Sequence, residues 1–302
     1  MSLRLGSLPS SISVREVGPR DGLQAEGPVP IGARVALIEA LVAAGVAQIE
    51  AVAFVSAKAV PSMAGAADVL AQLPRSPGVR YWALVPNLRG ASMALDAGVD
   101  GLTVTVSASE TYSEKNVRMS VSESVAEAGR IAALAHGRVQ VDGVISCAFG
   151  SPYEGDLDPS VAASLGQQLR DGGATSLTYA DTTGMATPRR VSSLLELTGI
   201  DVGLHFHETR GTGLVNVYAA LEAGVTRFDS SIGGLGGSPF AAGSAGNVAT
   251  EELVHLCDDL GIATGIDLER LLDASKLVVS IVGHPVASRV ALAGPRWRRA
   301  EE

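Results

Sequence analysis

The 302-residue chain has only two cysteines, Cys147 and Cys257, far apart and in no Cys-x-x-Cys pair. A disulfide framework or a thiolate zinc site is therefore not expected, and a reducing compartment fits. Long apolar runs are also missing. No stretch approaches the roughly 18 uninterrupted apolar residues of a membrane span, so no membrane partner is expected. Positive charge is short as well, with 23 Lys+Arg against 32 Asp+Glu and a net charge of −9. With a pI near 5.1, that balance argues against nucleic-acid binding, which relies on a basic face. Only three basic residues are lysines, Lys58, Lys115 and Lys276, a compositional bias. The opening from Met1 to Val14 has no basic flank followed by an apolar core. No secretory signal is expected there, and the cytoplasm is the expected location.

What is present is apolar material: 46% of residues are hydrophobic and 18% charged, enough for a large core and far from a disordered composition. Short Val/Ile/Leu-rich runs alternate with Ala- and Leu-rich stretches of helical period. The pattern predicts eight strands, at 13–17, 47–53, 81–85, 101–106, 139–146, 176–180, 203–207 and 227–231. Helices are predicted between them, near 32–44, 64–73, 88–97, 122–135, 159–171, 188–197 and 213–223, then at 250–261 and 268–282. Ala-Gly-Val recurs at 44–46, 97–99 and 223–225, each time placing glycine where a helix ends before the next strand.

Strand–helix alternation implies a parallel sheet. Eight units in about 260 residues imply a closed (β/α)₈ TIM barrel, an α/β fold. The expectation is one domain, residues 1–302, with a barrel core of about 12–265 and a C-terminal helical segment of about 266–302. An open doubly wound sheet would call for a GxGxxG after the first strand, which is absent.

In such barrels the site lies at the C-terminal ends of the strands. Polar residues gather at that predicted end: Arg20, Asp21 and Gln24 after strand 1, Glu50 in strand 2, Asp181 after strand 6, His205 and His207 on strand 7, and a glycine-rich run, 233–246, closing at Asn247. Two histidines at i and i+2 on a strand point to one side. They read either as ligands of one metal or as half-buried imidazoles satisfied by hydrogen bonds. Asp21 offers a carboxylate and Asn247 a carbonyl oxygen, a mixed set that suits Mg²⁺ or Mn²⁺ and leaves Zn²⁺ open. Arg20 is either half of a structural ion pair or a cation held for a developing enolate. Glu50 either orients Arg20 or a ligand water, or caps a buried network. Asp181 alone reads first as a helix N-terminal residue, with a supporting acid as the other reading. The glycine-rich run reads as a mobile lid or an irregular surface loop.

These residues carry a resemblance. Glu16-Val-Gly-Pro-Arg-Asp-Gly-Leu-Gln24 closely resembles the opening signature of the 3-hydroxy-3-methylglutaryl-CoA lyase family, metal-dependent lyases and Claisen synthases on a (β/α)₈ barrel. The likeness continues through Ile49–Ser56, Val85–Leu88, Ser109-Glu110 with Lys115-Asn116, Ser146–Gly155 and Asp181–Gly184. It returns at His205/His207, Asp229–Ser231 through Gly246-Asn247, and Leu260–Gly265, so it covers nearly the whole chain.

The resemblance implies that Asp21, His205, His207 and Asn247 hold the divalent cation. Arg20 would stabilise the thioester enolate, while Glu50 and Asp181 support the site and substrate. The implied reaction is retro-Claisen cleavage of the acyl-CoA thioester 3-hydroxy-3-methylglutaryl-CoA to acetoacetate and acetyl-CoA. Gln24 would contact substrate, and Lys58, Lys115 and Arg118 are candidates for the CoA phosphates. A homodimer is implied as well. One departure stands out. Where the family carries a catalytic cysteine in Gly-Gly-Cys-Pro, this chain reads Gly236-Gly237-Ser238-Pro239. A hydroxyl is a far weaker acid than a thiol. Three readings follow: a slower lyase with His205 or water carrying protons, a lyase for another branched 3-hydroxyacyl-CoA, or a metal-binding barrel without activity.

Overall fold

The computed structural model describes residues 8–237 and 246–299. Eight parallel strands close into a barrel in chain order. They are β1 (Ser13–Glu16), β2 (Gln48–Ala53), β3 (Arg80–Leu84), β4 (Gly101–Ser107), β5 (Gln140–Ser146), β6 (Ser176–Ala180), β7 (Gly203–His205) and β8 (Arg227–Ser230). The closing pair is β1 with β8, in the register Ser13↔Arg227 to Glu16↔Ser230.

The outer helices are α1 (Ile31–Ala43), α2 (Ala66–Gln72), α3 (Leu88–Asp96), α4 (Glu110–Val117), α5 (Val121–Ala135), α6 (Pro159–Asp171), α7 (Pro188–Thr198), α8 (Gly213–Ala223), α9 (Thr250–Leu260), α10 (Leu268–Val282) and α11 (Arg289–Ala293). Their starts follow local chemistry. Asn87, Ser109, Asp158 and Asp267 accept hydrogen bonds from the first turns of α3, α4, α6 and α10. Ser120 and Glu123 form a reciprocal capping box on α5. The Ala-Gly-Val glycines lie at φ +95, +77 and +98 (Gly45, Gly98, Gly224), the left-handed helix ends that the repeat predicts. Among the described residues no helix is long and apolar enough to cross a membrane.

Three local differences from the sequence expectation matter. Strand β7 stops at His205 rather than running to His207. The chain turns away there because residues 246–249 fold back beside it. Val248 N–H donates to Phe206 O at 3.0 Å, and Glu208 N–H to Gly246 O at 3.0 Å. This returning segment pairs His207 with Asn247 in an isolated antiparallel bridge. Second, Gly18–Gly22 forms a π-helical turn, with the N–H groups of Arg20, Asp21 and Gly22 all donating to Val17 O. Third, α4 went unpredicted because Glu110–Val117 carries almost no apolar stripe.

Candidate active site

The barrel axis below the site is crossed by one arginine. Arg15 on β1 donates through Nε and Nη2 to both carboxylate oxygens of Asp229 on β8, at 2.9 and 2.8 Å. Its Nη1 lies 2.9 Å from Asp142 Oδ2 on β5. Asp142 also accepts the hydroxyls of Ser176 and Thr178, at 2.6 and 2.8 Å. The network is buried and its charges are paired, as a low-dielectric interior requires. Burial disfavours the Asp229 anion, but Arg15 and His205 outweigh it and hold its carboxyl well below the usual range.

Asp229 then fixes the first histidine. Its Oδ2 lies 3.2 Å from His205 Nδ1, which places the proton on Nδ1 and a lone pair on Nε2. Burial disfavours the imidazolium of His205, yet Asp229 and Asp21 raise its pKa on balance. His205 Nε2 faces His207 Nε2 at 3.2 Å. At that separation two lone pairs repel unless a proton or a cation lies between them. Asp21 completes the group: one donor atom from each of Asp21, His205 and His207 falls within 4.8 Å of the others. Burial works against the Asp21 anion, but Arg20, His205, His207 and the Asn247 amide hold its pKa at about 2. Asn247 Nδ2 donates to Asp21 Oδ2 at 2.8 Å and to Leu235 O at 2.9 Å. Its Oδ1 is buried without a hydrogen-bond partner among the described residues. Two imidazole nitrogens, an ionised carboxylate and an orphaned amide oxygen fit a small divalent cation.

Arg20 stands over this group. Its Nε donates to Glu50 Oε2 at 2.5 Å and its Nη1 to Asp21 Oδ1 at 2.7 Å. The guanidinium is thus both an ion-pair partner and a cation held at the cluster. Glu50 orients Arg20, one of the two roles its position suggests, and its Oε1 is buried without a partner among the described residues. Asp181 is not the helix N-terminal residue that it reads as first. Thr187, not Asp181, caps α7, while Asp181 Oδ1 accepts the N–H groups of Met185 and Ala186 at 2.6 and 2.9 Å. Its Oδ2 is buried and has no partner among the described residues, and burial pushes its pKa up to about 7.

A family model described as HMGL-like matches residues 11–278. The chain belongs to the HMGL-like family. It is 41% identical over 299 residues to a 3-hydroxy-3-isohexenylglutaryl-CoA/hydroxy-methylglutaryl-CoA lyase of Pseudomonas aeruginosa, covering 95% of this chain and 98% of that one. It is 39% identical to the mitochondrial hydroxymethylglutaryl-CoA lyase of Mus musculus, covering 96% and 91%. Among solved structures, an HMG-CoA lyase of Acinetobacter baumannii in complex with coenzyme A and 3-methylmalate superimposes with a TM-score of 0.92 at 39% identity, covering both chains fully. The resemblance read from the opening motif therefore holds along the chain.

In this HMGL-like chain the other expected residues lie at the same end of the barrel, apart from the cluster. Gln24 follows the π-helical turn, half-buried, and its backbone oxygen accepts the Ser62 hydroxyl at 3.0 Å. Lys58 is exposed after β2, and Arg118 is exposed at the left-handed end of α4. Lys115 is exposed on α4, its ammonium 5.3 Å from the Tyr153 ring. Ser238 lies outside the described residues. Sequence reading gave no role to Arg15, Asp142, Asp229 or Glu16. The available signal was the placing of charged residues inside predicted barrel strands, where an unpaired charge is costly.

Proposed function

We propose that this chain is a divalent-metal-dependent lyase cleaving 3-hydroxy-3-methylglutaryl-CoA to acetoacetate and acetyl-CoA. The observation that carries the reading is the convergence of Asp21, His205 and His207 beside the Arg20 guanidinium. Relatives with that named activity support it. Asp21, His205, His207 and Asn247 would hold Mg²⁺ or Mn²⁺, with Zn²⁺ the third candidate. The cation supplies Lewis acidity that makes the C3 hydroxyl easier to deprotonate.

Asp181 Oδ2, free and buried, takes the C3 hydroxyl proton. The oxygen's electron pair becomes the new carbonyl of acetoacetate as the C2–C3 bond breaks. The bond electrons move into the acetyl-CoA enolate, whose oxygen meets the N–H groups of Arg20 not used by Glu50 and Asp21. The proton taken by Asp181 is returned to C2 through water, which restores the carboxylate and completes the balance. Cys147 and Cys257 are buried, which pushes both thiols up to about 12, away from thiolate chemistry near neutrality. Ser238 occupies the position where the resemblance implies a thiol. Gln24, Lys58, Lys115 and Arg118 are assigned to the acyl-CoA, and a cytoplasmic homodimer belongs to the same reading.

The name of the Pseudomonas relative, which includes an isohexenylglutaryl thioester, favours a second reading: the same cleavage on a longer 3-branch. Both readings are checked by incubating the protein with each thioester and Mg²⁺ or Mn²⁺, and assaying acetyl-CoA release with and without EDTA. Loss of the reaction in EDTA supports the proposal. Release that persists in EDTA removes it.

A further inference from the structure

Glu16 is wholly buried at the end of β1, with no cation bonded to it among the described residues. Its Oε1 accepts two backbone N–H groups from opposite sides. One is Gly18, at 2.7 Å, opening the turn that carries Arg20 and Asp21. The other is Ile232, at 2.8 Å, opening the stretch that leads into the glycine-rich run. Its Oε2 accepts the Thr250 hydroxyl at 2.5 Å, and Thr250 in turn meets Ser230 Oγ at 2.8 Å.

The packing makes the same point independently. A Cβ added at Gly18 would lie 2.6 Å from Glu16 Oε1 and 2.7 Å from Ile232 Cγ2. One added at Gly22 would lie 2.8 Å from Ser231 Oγ and 3.0 Å from Leu235 Cβ. The turn and the stretch 231–235 thus touch with no room for a side chain between them. At the far end of the run, Asn247 closes onto Asp21 at 2.8 Å. Glu251 holds the start of the run, accepting Gly233 N–H at 2.9 Å.

We propose that Glu16 is a positioning residue that locks the Arg20–Asp21 turn to the stem of the glycine-rich run, so that the cation site and the run's entrance keep one geometry. Side-chain reach, rather than charge, performs this role. Glutamine preserves it: its Oε1 accepts the same two N–H groups and its Nε2 donates to the Thr250 hydroxyl. Aspartate keeps the charge but is one methylene too short to serve Gly18, Ile232 and Thr250 together.

The experiment compares Glu16→Gln and Glu16→Asp with the parent by calorimetric Mn²⁺ titration, hydrogen exchange and turnover. Glu16→Gln is expected within about threefold of the parent in Mn²⁺ affinity and kcat. Glu16→Asp is expected to bind Mn²⁺ about tenfold more weakly, as loss of an outer support of a metal site does. Its kcat should fall at least tenfold with little change in KM, as misplacing a reacting group does. Exchange should rise jointly at 18–22 and 231–235, and not in β4 and β5. A Glu16→Asp protein equal to the parent, or a Glu16→Gln protein as impaired as Glu16→Asp, overturns the proposal. If Glu16→Asp does not accumulate folded, Thr250→Val removes the Oε2 donor and takes its place. Joint loosening and weaker Mn²⁺ binding are then expected, and unchanged exchange and affinity overturn it. Only the turnover arm rests on the lyase reading; Mn²⁺ affinity and exchange remain readable if the parent does not cleave the thioester.

Discussion

Asp229 Oδ2 sits 3.2 Å from His205 Nδ1 while both of its oxygens are held by Arg15. An arginine on the first strand thereby sets which nitrogen of a seventh-strand histidine faces the cluster. Replacing Asp229 by Asn lets the amide donate to Nδ1 and drives the proton to Nε2, where it blocks coordination. Asp229→Asn is expected to weaken Mn²⁺ binding by about 10–100-fold. Isothermal titration reads this directly, and an unchanged affinity would remove Asp229 from the account.

Arg20 is assigned to the developing enolate. Arg20→Met should lower kcat by about 10²–10³, the usual cost of losing a preorganised donor to a developing oxyanion. Mn²⁺ affinity should change much less, because Asp21 keeps its Asn247 bond. Steady-state kinetics beside a metal titration separates the two effects. Equal losses in both would recast Arg20 as a structural partner of Asp21.

Two buried acids make stability depend on pH. Burial raises the carboxyls of Glu16 and Glu251 to about 7. A raised folded pKa means that the native state holds the proton more tightly than the unfolded chain. The stabilisation is complete below the unfolded value of about 4.3 and is lost as pH rises through about 7. Glu251→Gln cannot ionise, so its unfolding free energy should fall less than the parent's between pH 5.5 and pH 8. The difference should be on the order of 1–3 kcal/mol. Urea unfolding at the two pH values measures it, and parallel pH profiles would contradict it.

Glycines give a contrast. Gly18→Ala drives a methyl into Glu16 Oε1 and Ile232 Cγ2 and should cost about 1–3 kcal/mol, as overpacking does. Gly32 lies in α1 with nothing within 4 Å of an added Cβ. Gly32→Ala should stabilise by roughly 0.5–1 kcal/mol through helix propensity. Thermal melts of both decide it, and a melting point that drops for Gly32→Ala would refute the packing argument.

Much of this was legible in the sequence. Most strands were readable as short Val/Ile/Leu-rich runs alternating with helical stretches, while β1 (Ser-Val-Arg-Glu) and β8 (Arg-Phe-Asp-Ser) were placed mainly by their position in that alternation. Strand periodicity predicted that His205 and His207 share one side, and their rings do meet at 3.2 Å, although β7 ends at His205 and His207 is placed by its bridge to Asn247. Three features were hidden, for physical reasons. The π-helical turn at 18–22 depends on one carbonyl, Val17 O, accepting three N–H groups, which no periodicity signals. The bridge of His207 to Asn247 joins distant segments across a returning chain. Arg15, Asp142 and Asp229 lie on three different strands, so their network exists only once the barrel closes. Glu50 illustrates a middle case. A lone acid in an apolar strand pointed to Arg20, a ligand water or a buried network, and the fold selects Arg20.

The most direct measurement is acetoacetate and acetyl-CoA release from 3-hydroxy-3-methylglutaryl-CoA with Mg²⁺ or Mn²⁺, in the parent, His205→Ala and Ser238→Cys, each with and without EDTA. The account predicts EDTA-sensitive cleavage by the parent, its loss in His205→Ala, and faster turnover in Ser238→Cys, whose thiol is the stronger acid. Bound metal with no cleavage by either the parent or Ser238→Cys would contradict the assignment of this thioester.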